Sequence, residues 1–412
     1  MTTISSMKTT FDPPRLLPLT EALERFFAAV APAPPPHECV AIDESFGRVL
    51  AQPIVATENL PDAPRSSMDG FAVHAASTPG SLRIAGEISI EIVPSRALAV
   101  SEAMRIPTGG ILPEGADAVV PVESADRDGD FIRVGVAVAA GDSVIARGAD
   151  MRAGEIVLEP GRRIGSPELA VLATLGVADV RVYRQPIVGI VSCGNELVPV
   201  AERPLPGQVR DSNPYAITGS LIALGARPRR YPVVRDREGE LGAMLARVLD
   251  ECDAAIISGG SSVGDRDFTR RTVESLGPPG VVVHGLRIRP GKPALLGARG
   301  SKPVIGLPGN PASAFLVLEA VAAPIVAALT GSPAPVEELQ VQLGSAVRGR
   351  EDWTWFVPLA MRDGLAHPLA IHSFATSLAA RAAGYLCIGP RCTHYAAGET
   401  VGLRRFLSGG AR

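Results

Sequence analysis

Along this chain the spacing of apolar residues changes repeatedly, and each change predicts a different kind of structure. Over residues 19–30, LTEALERFFAAV, the apolar positions Leu23, Phe26, Phe27 and Val30 share one helical face, and Thr20 is placed to cap it. The proline-rich APAPPPHE ends that helix. From about 59 to 160 the pattern becomes short alternating runs broken by Gly and Asp, such as SLRIAGEISI, DAVVPVES and FIRVGVAVAAGDSV. Alternation with frequent turns predicts a β-rich region, a small barrel or sandwich. Residues 166–176, SPELAVLATLG, predict a short helix capped by Ser166, with Pro167 in its first turn.

At residue 186 strands and helices begin to alternate. PIVGIVS predicts a buried strand, NPYAITGSLIALG a helix capped by Asn213, and RRYPVV a strand. REGELGAMLARVLDE follows as a helix with Leu241, Met244, Leu245 and Val248 on one face, then DAAIIS as a strand and DFTRRTVESLG as a helix. VVVHGLRI, PALLGA and PVIGL are further strands before an apolar helix. This alternation predicts a parallel, doubly wound sheet. After 332 short β-type runs return, among them WTWFVPLAM and GYLCIG.

With 412 residues, the chain is long enough for roughly two to four domains. Aliphatic residues build its cores, since 46% of residues are hydrophobic and only 4% aromatic. A net charge of -3 argues against a sequence-blind nucleic-acid binder. The five cysteines, Cys39, Cys193, Cys252, Cys387 and Cys392, form no C-x-x-C pair, so reduced thiols are expected. The opening MTTISSMKTTFDPPR has no apolar core of a secretory signal. The most apolar stretch, 311–331, carries Glu319 and Pro324 and follows a glycine loop, so it is expected to flank a sheet rather than span a membrane.

If the strands are as predicted, four polar loops fall at their carboxyl ends: SCGNEL (192–197), VRDREGE (234–240), GGSSVGDRD (259–267) and GLPGNPAS (306–313). Ligands of open α/β sheets bind there. Gly259 and Gly260 allow close backbone approach, Ser261 and Ser262 add hydroxyls, and Asp265 and Asp267 suit a divalent cation. The same loop also suits a tight turn with Asp267 as a helix cap. RPGKP (289–293) presents Arg289 and Lys292 on a stiff turn, fit for an oxyanion or for plain solvation. GLPGNP leads into a helix N-terminus, which attracts anions, but it is not a Walker A loop, and no G-x-G-x-x-G supports a nicotinamide cofactor. Cys193 has no histidine near it in sequence and is expected to be an inert small residue. The cluster Arg227, Arg229, Arg230, Arg235 and Arg237 reads as a solvated face with some role in attracting an anionic ligand.

Taken in order, SSMDGFAV (66–73), RIPTGGILPEGADAVV (105–120), ISGGSSVGDRDFT, RPGKP and GLPGNPAS resemble the molybdopterin molybdenumtransferase family, also called MoeA/gephyrin, over about residues 15 to 406. The resemblance implies a multidomain α/β plus β fold. An elongated N-terminal α/β domain would be assembled from 15–58 and 152–184, with a β domain inserted at 59–151. A central doubly wound molybdopterin-binding α/β domain would span 186–332 and a C-terminal β-barrel 333–412. It also implies a cytoplasmic homodimer whose active cleft is shared between subunits. The implied partners are molybdopterin adenylyltransferase and apo-molybdoenzymes, with no nucleic acid and no membrane.

The implied reaction belongs to molybdenum cofactor biosynthesis. Molybdate is inserted into adenylylated molybdopterin, AMP is released, and Mg2+ or a similar divalent cation assists. On this resemblance Asp267, Asp236 and Glu196 are candidates for metal binding or activation, and Lys292 and Arg289 for holding oxyanions. Gly259, Gly260, Ser261 and Ser262 would line a phosphate cradle floored by Pro308, Gly309, Asn310 and Pro311. Asp69 and Thr108 would act from the other subunit, and Arg350 and Ser373 from the C-terminal domain. The chain departs from the family pattern at Asn195 (usually acidic), Arg289 (usually Lys), Ala149 (usually acidic) and the RAAGY turn. These departures leave open a second reading, a non-catalytic molybdopterin or cofactor carrier, or a divergent paralogue with altered oxyanion choice. The retained acids Asp69, Asp236 and Asp267 favour the enzyme.

Overall fold

A computed structural model describes residues 16–235, 237–260, 268–370 and 376–407. Its central unit positions the site. Six strands, β1 (Ile187–Cys193), β2 (Arg227–Arg230), β3 (Ala254–Gly259), β4 (Pro279–His284), β5 (Leu295–Arg299) and β6 (Lys302–Leu307), form one sheet in the order β2-β1-β3-β6-β5-β4. The first four in that order are parallel, but β5 is antiparallel to both β6 and β4. The expected all-parallel sheet is therefore corrected to a mixed one. The reason is local: only Gly300 and Ser301 separate β5 from β6. Two residues can close a hairpin but cannot make a crossover. Strand β2 also lies earlier than RRYPVV predicted, and Val234 keeps only a single bridge, to Cys193.

Helices α1 (Asn213–Leu224), α2 (Glu238–Glu251), α3 (Phe268–Ser275), α4 (Pro311–Val317) and α5 (Ala323–Thr330) cover both faces of this sheet. Strand β3 shows the period-two logic. Ala254 and Ile256 join the core formed with α1, α4 and α5, whereas Ala255 and Ile257 join the core formed with α2 and α3. Each isoleucine is fully buried and contributes roughly 1.5–3 kcal/mol. Strand ends anchored this way are rigid platforms for the loops beyond them.

The apolar segment 311–330 is a helix with a π turn at Leu318–Ala322. Its mean hydropathy is 2.1, yet 78% of it is buried inside the protein. Glu319 inside it accepts hydrogen bonds from Ser220 Oγ and the Leu407 amide, both at 2.8 Å. The helix Leu19–Val30 forms as predicted and buries Ala22, Phe26 and Val30. That face packs on the central core. Its N-cap is Pro18 rather than Thr20, and the helix Ser166–Thr174 is capped at Gly165 rather than Ser166.

Three outer arrangements complete the chain. Strand His37–Ala41 pairs with Asp179–Tyr183, and Ile54–Val55 with Ile156–Leu158, so distant segments share one small core. Between them, Gly70–Val73, Gly80–Glu87, Glu102–Ile106, Ala118–Pro121, Ala125–Asp128 and Phe131–Val134 form a single six-stranded mixed sheet with apolar clusters on two sides. After 333, strands Glu338–Gln342, Thr354–Arg362, Gly384–Ile388 and Thr400–Arg405 form a curled sheet, with Leu365–Pro368 paired to Thr354–Arg362. Its edges meet at one bridge, Leu343 to Ala366. Ile288–Arg289 joins this C-terminal sheet by pairing with Thr354–Trp355.

Candidate functional site

In strand order the sheet reverses between β1 and β3, because the chain leaves β1 for β2 on one side and returns to β3 on the other. Such a switch point opens a crevice at the strands' carboxyl ends. A cavity of about 790 Å³ lies there. Cys193 from β1, Ser258 and Gly259 from β3, Gly309 and Asn310 before α4, and Pro311 at its start line it. Glu196 and the two-stranded arm of Leu197–Val198 and Val209–Arg210 form a further wall. Thr376 reaches in from the C-terminal segment.

The backbone permits this shape only with glycine at its lip. Gly259 has φ +90°, and a Cβ there would meet the Cys193 carbonyl oxygen at 2.3 Å. Gly260 has φ +68°, with Thr269 Oγ1 at 2.8 Å from such a Cβ. A left-handed backbone pressed against a neighbouring strand excludes any side chain.

Asn213 ties the two lips together. Its Nδ2 donates to Ser258 Oγ at 2.7 Å and to the Gly309 carbonyl at 2.9 Å. The expected helix cap is thus corrected: Ser212 occupies the cap position, Asn213 is the first helical residue, and its side chain reaches across the cleft. Beside it, half-buried Asp211 accepts a hydrogen bond from Ser192 Oγ at 2.8 Å. Burial pushes the Asp211 carboxyl above its ordinary value, against the opposing pull of Ser192 and Arg230.

Of the residues expected from the sequence, Gly259, Gly309, Asn310, Pro311 and Glu196 gather on this cavity. Gly260 is next in line, and Pro308 is buried just ahead of Gly309. Asn195 is exposed. Asp236, Ser261, Ser262, Asp265, Asp267 and Ser373 lie outside the described residues. Cys193 is buried, as expected of an inert thiol, although it does face the cavity.

Arg289 and Lys292 are exposed on the turn between the central and C-terminal sheets and do not line the cavity. The Arg289 guanidinium lies over the Trp355 ring at 4.7 Å. Gly291, with φ +114°, lets that turn pass Val317 closely. Arg350 is also exposed and lies over Trp353 at 5.4 Å.

Asp69 and Thr108, 39 residues apart, come together on the inserted sheet. Asp69 Oδ1 accepts from the Thr108 amide at 2.7 Å and from Thr108 Oγ1 at 2.9 Å. Those bonds, the amide first, hold the Asp69 carboxyl below its usual value. Gly70 follows because its Cα passes so near the Val120 carbonyl that a Cβ would lie 2.2 Å from the oxygen. This corner lies outside the cavity lining of its own chain.

Asp211, Asn213 and Ser258 were missed as site residues. A readable signal existed: Asp-Ser-Asn just before a helix, and a serine ending the otherwise apolar AAIIS.

The family described as "MoeA N-terminal region (domain I and II)" matches residues 17–176, and that described as "Probable molybdopterin binding domain" matches 189–328. A molybdopterin molybdenumtransferase of Nostoc sp. is 32% identical over 343 residues, 80% of this chain and 78% of that one. Its counterpart in Bacillus subtilis is 33% identical over 300 residues, 70% of each chain. The crystal structure of a molybdopterin biosynthesis MoeA protein from Pyrococcus horikoshii superposes with a TM-score of 0.84 at 26% identity, covering 95% of this chain and all of that one.

Proposed function

We propose the chemistry of this cleft from one premise: the chain belongs to the molybdopterin molybdenumtransferase (MoeA) family. It is a transferase of molybdenum cofactor biosynthesis, inserting molybdate into adenylylated molybdopterin with release of AMP. The observation that carries this assignment to particular residues is the cavity at the β1/β3 switch point, with a glycine lip on one side and a helix N-terminus on the other.

The chain's groups divide the work. Gly259 and Gly260 bring backbone close to a phosphate, and the start of α4 adds free amides and a favourable dipole. Asn213 holds these two walls at a fixed spacing. Lys292 and Arg289, with Arg350 and Ser373, supply donors and positive charge for oxyanions, molybdate included, as charge develops. Glu196, Asp236 and Asp267 are assigned to a divalent cation such as Mg2+. The fit is reasonable: Glu196 offers a hard oxygen on the cavity wall. When bound, the cation supplies charge neutralisation at the phosphoanhydride.

The remaining assignments belong to the same proposal. The four-region division given above describes the chain's domains. Two chains pair so that Asp69 and Thr108 of one subunit face the cleft of the other; their distance from their own cavity lining supports this. The protein works in the cytoplasm, consistent with five cysteines that form no disulfide among themselves. It receives its substrate from molybdopterin adenylyltransferase and passes product to apo-molybdoenzymes.

The test is AMP release from adenylylated molybdopterin by the purified protein with Mg2+. Release that requires molybdate supports the reading. Tight binding of the pterin nucleotide with no release on adding molybdate overturns it.

A further inference from the structure

Two acceptor groups on the cavity wall, the Asp211 carboxylate and the Asn213 amide oxygen, have no role in the reaction as described. Asp211 lines the cavity, half-buried, with Oδ1 tethered by the Ser192 hydroxyl at 2.8 Å. Among the described residues no cation pairs with it; Arg230 acts on it only through its field. Asn213, two residues on, spends both amide protons on Ser258 Oγ and the Gly309 carbonyl. What Asn213 can still offer a ligand is its Oδ1, an acceptor. This part of the wall therefore presents a carboxylate and an amide oxygen, with the Ser192 hydroxyl and both Asn213 amide protons already engaged.

A ligand seated against such a wall must bring adjacent N–H donors, because buried acceptors left unpaired cost heavily. The two ring systems of the substrate differ in this respect. The 2-amino-4-oxopyrimidine edge of a pterin carries N3–H beside the 2-amino group, two parallel donors that match a carboxylate. The adenine edge carries one amino group beside the N1 lone pair, which a carboxylate repels. Resting on the transferase reading above, we propose that Asp211 and Asn213 form the subsite that binds the pterin ring and rejects adenine. The glycine lip and the α4 start then take the phosphate, and the AMP half lies toward the open side.

Fluorescence titration of the full-length protein with pterin (2-amino-4-oxopteridine), lumazine (2,4-dioxopteridine) and AMP tests this. The wild type is expected to prefer pterin over lumazine by about tenfold. Asp211→Asn is expected to weaken pterin roughly ten- to a hundredfold, to erase the preference over lumazine, and to leave AMP unchanged. A melting curve checks that the variant is folded. Ser192→Ala, which only frees the carboxylate, is expected to weaken pterin a few-fold and keep the preference. The proposal is overturned if wild type shows no preference for pterin, if it binds neither ring at millimolar concentration, or if Asp211→Asn weakens AMP instead. Should the asparagine variant not fold, an unchanged pterin affinity in Ser192→Ala overturns it. Molybdate-dependent AMP release by wild type is measured alongside. If release persists while pterin preference is absent, the subsite alone falls; if release is absent too, the transferase reading falls with it.

Discussion

Asp211 in the cleft and Asp69 on the inserted sheet are each held by a hydroxyl, yet their carboxyls are pushed in opposite directions. Asp211 accepts from Ser192 Oγ and is raised, because desolvation outweighs the bond. Asp69 accepts from both the amide and the hydroxyl of Thr108 and is lowered, because water still reaches it and the bonds prevail. The same pairing thus goes with a raised carboxyl where the wall is concave and a lowered one where the surface is open. Open apolar residues flank the second site: Ile90, Ile92 and Val93 are 52%, 64% and 69% exposed, and Ile90 lies against Gly109, next to Thr108. One region is a concave wall; the other is an open surface with exposed apolar neighbours.

The strongest way to break this contrast is Gly259→Ala. Left-handed strain and a Cβ driven into the Cys193 carbonyl together cost roughly 3 kcal/mol, and nucleotide binding is lost with the lip. Gly129→Ala, at φ +60° with open space around it, costs only about 1 kcal/mol. Equal denaturation midpoints for the two variants would sink the argument that close approach, not φ alone, fixes Gly259.

Next in size, Lys292→Met and Asp69→Asn are each expected to slow AMP release by about a hundredfold. If the corner of one chain serves the cleft of another, mixing the two inactive variants restores about a quarter of wild-type activity, since half the dimers then hold one intact site. No recovery on mixing would place both groups in the same chain's site.

A smaller effect is expected from Thr108→Ala, about a tenfold loss of activity through a less fixed Asp69. The variant also raises the Asp69 carboxyl toward its ordinary 3.8, though the amide bond remains. Because the folded value is depressed, Asp69 stabilises the fold above its unfolded value, and that contribution is lost as pH falls through the folded one. Carboxyl NMR titration reads the change, and an unmoved resonance would show that the hydroxyl contributes nothing.

The mildest prediction concerns Glu319, buried between Ser220 and Leu407, whose carboxyl burial raises above 4.5. Here the folded state keeps its proton longer, so stability declines as pH rises from the unfolded value through the folded one. Glu319→Gln flattens that decline in denaturation curves taken across the window. An unchanged slope would show that another group produces it.

Sequence alone determined much of this protein. A period-3.6 pattern gave the helix Leu19–Val30, which buries one face, and short continuous apolar runs gave strands β1 and β3, which are buried on both faces. The ordered Gly, Pro and Asp motifs gave the family, and backbone geometry explains the lip glycines. Three things needed the tertiary structure. The direction of β5 follows from a two-residue turn, which only settled strand ends reveal. Asn213 looked like a cap, but partners 45 and 96 residues away claim its side chain. Asp211 stood in a readable Asp-Ser-Asn before a helix, but the character of its carboxyl depends on how much water it loses, and that loss is set by strands and loops distant in sequence.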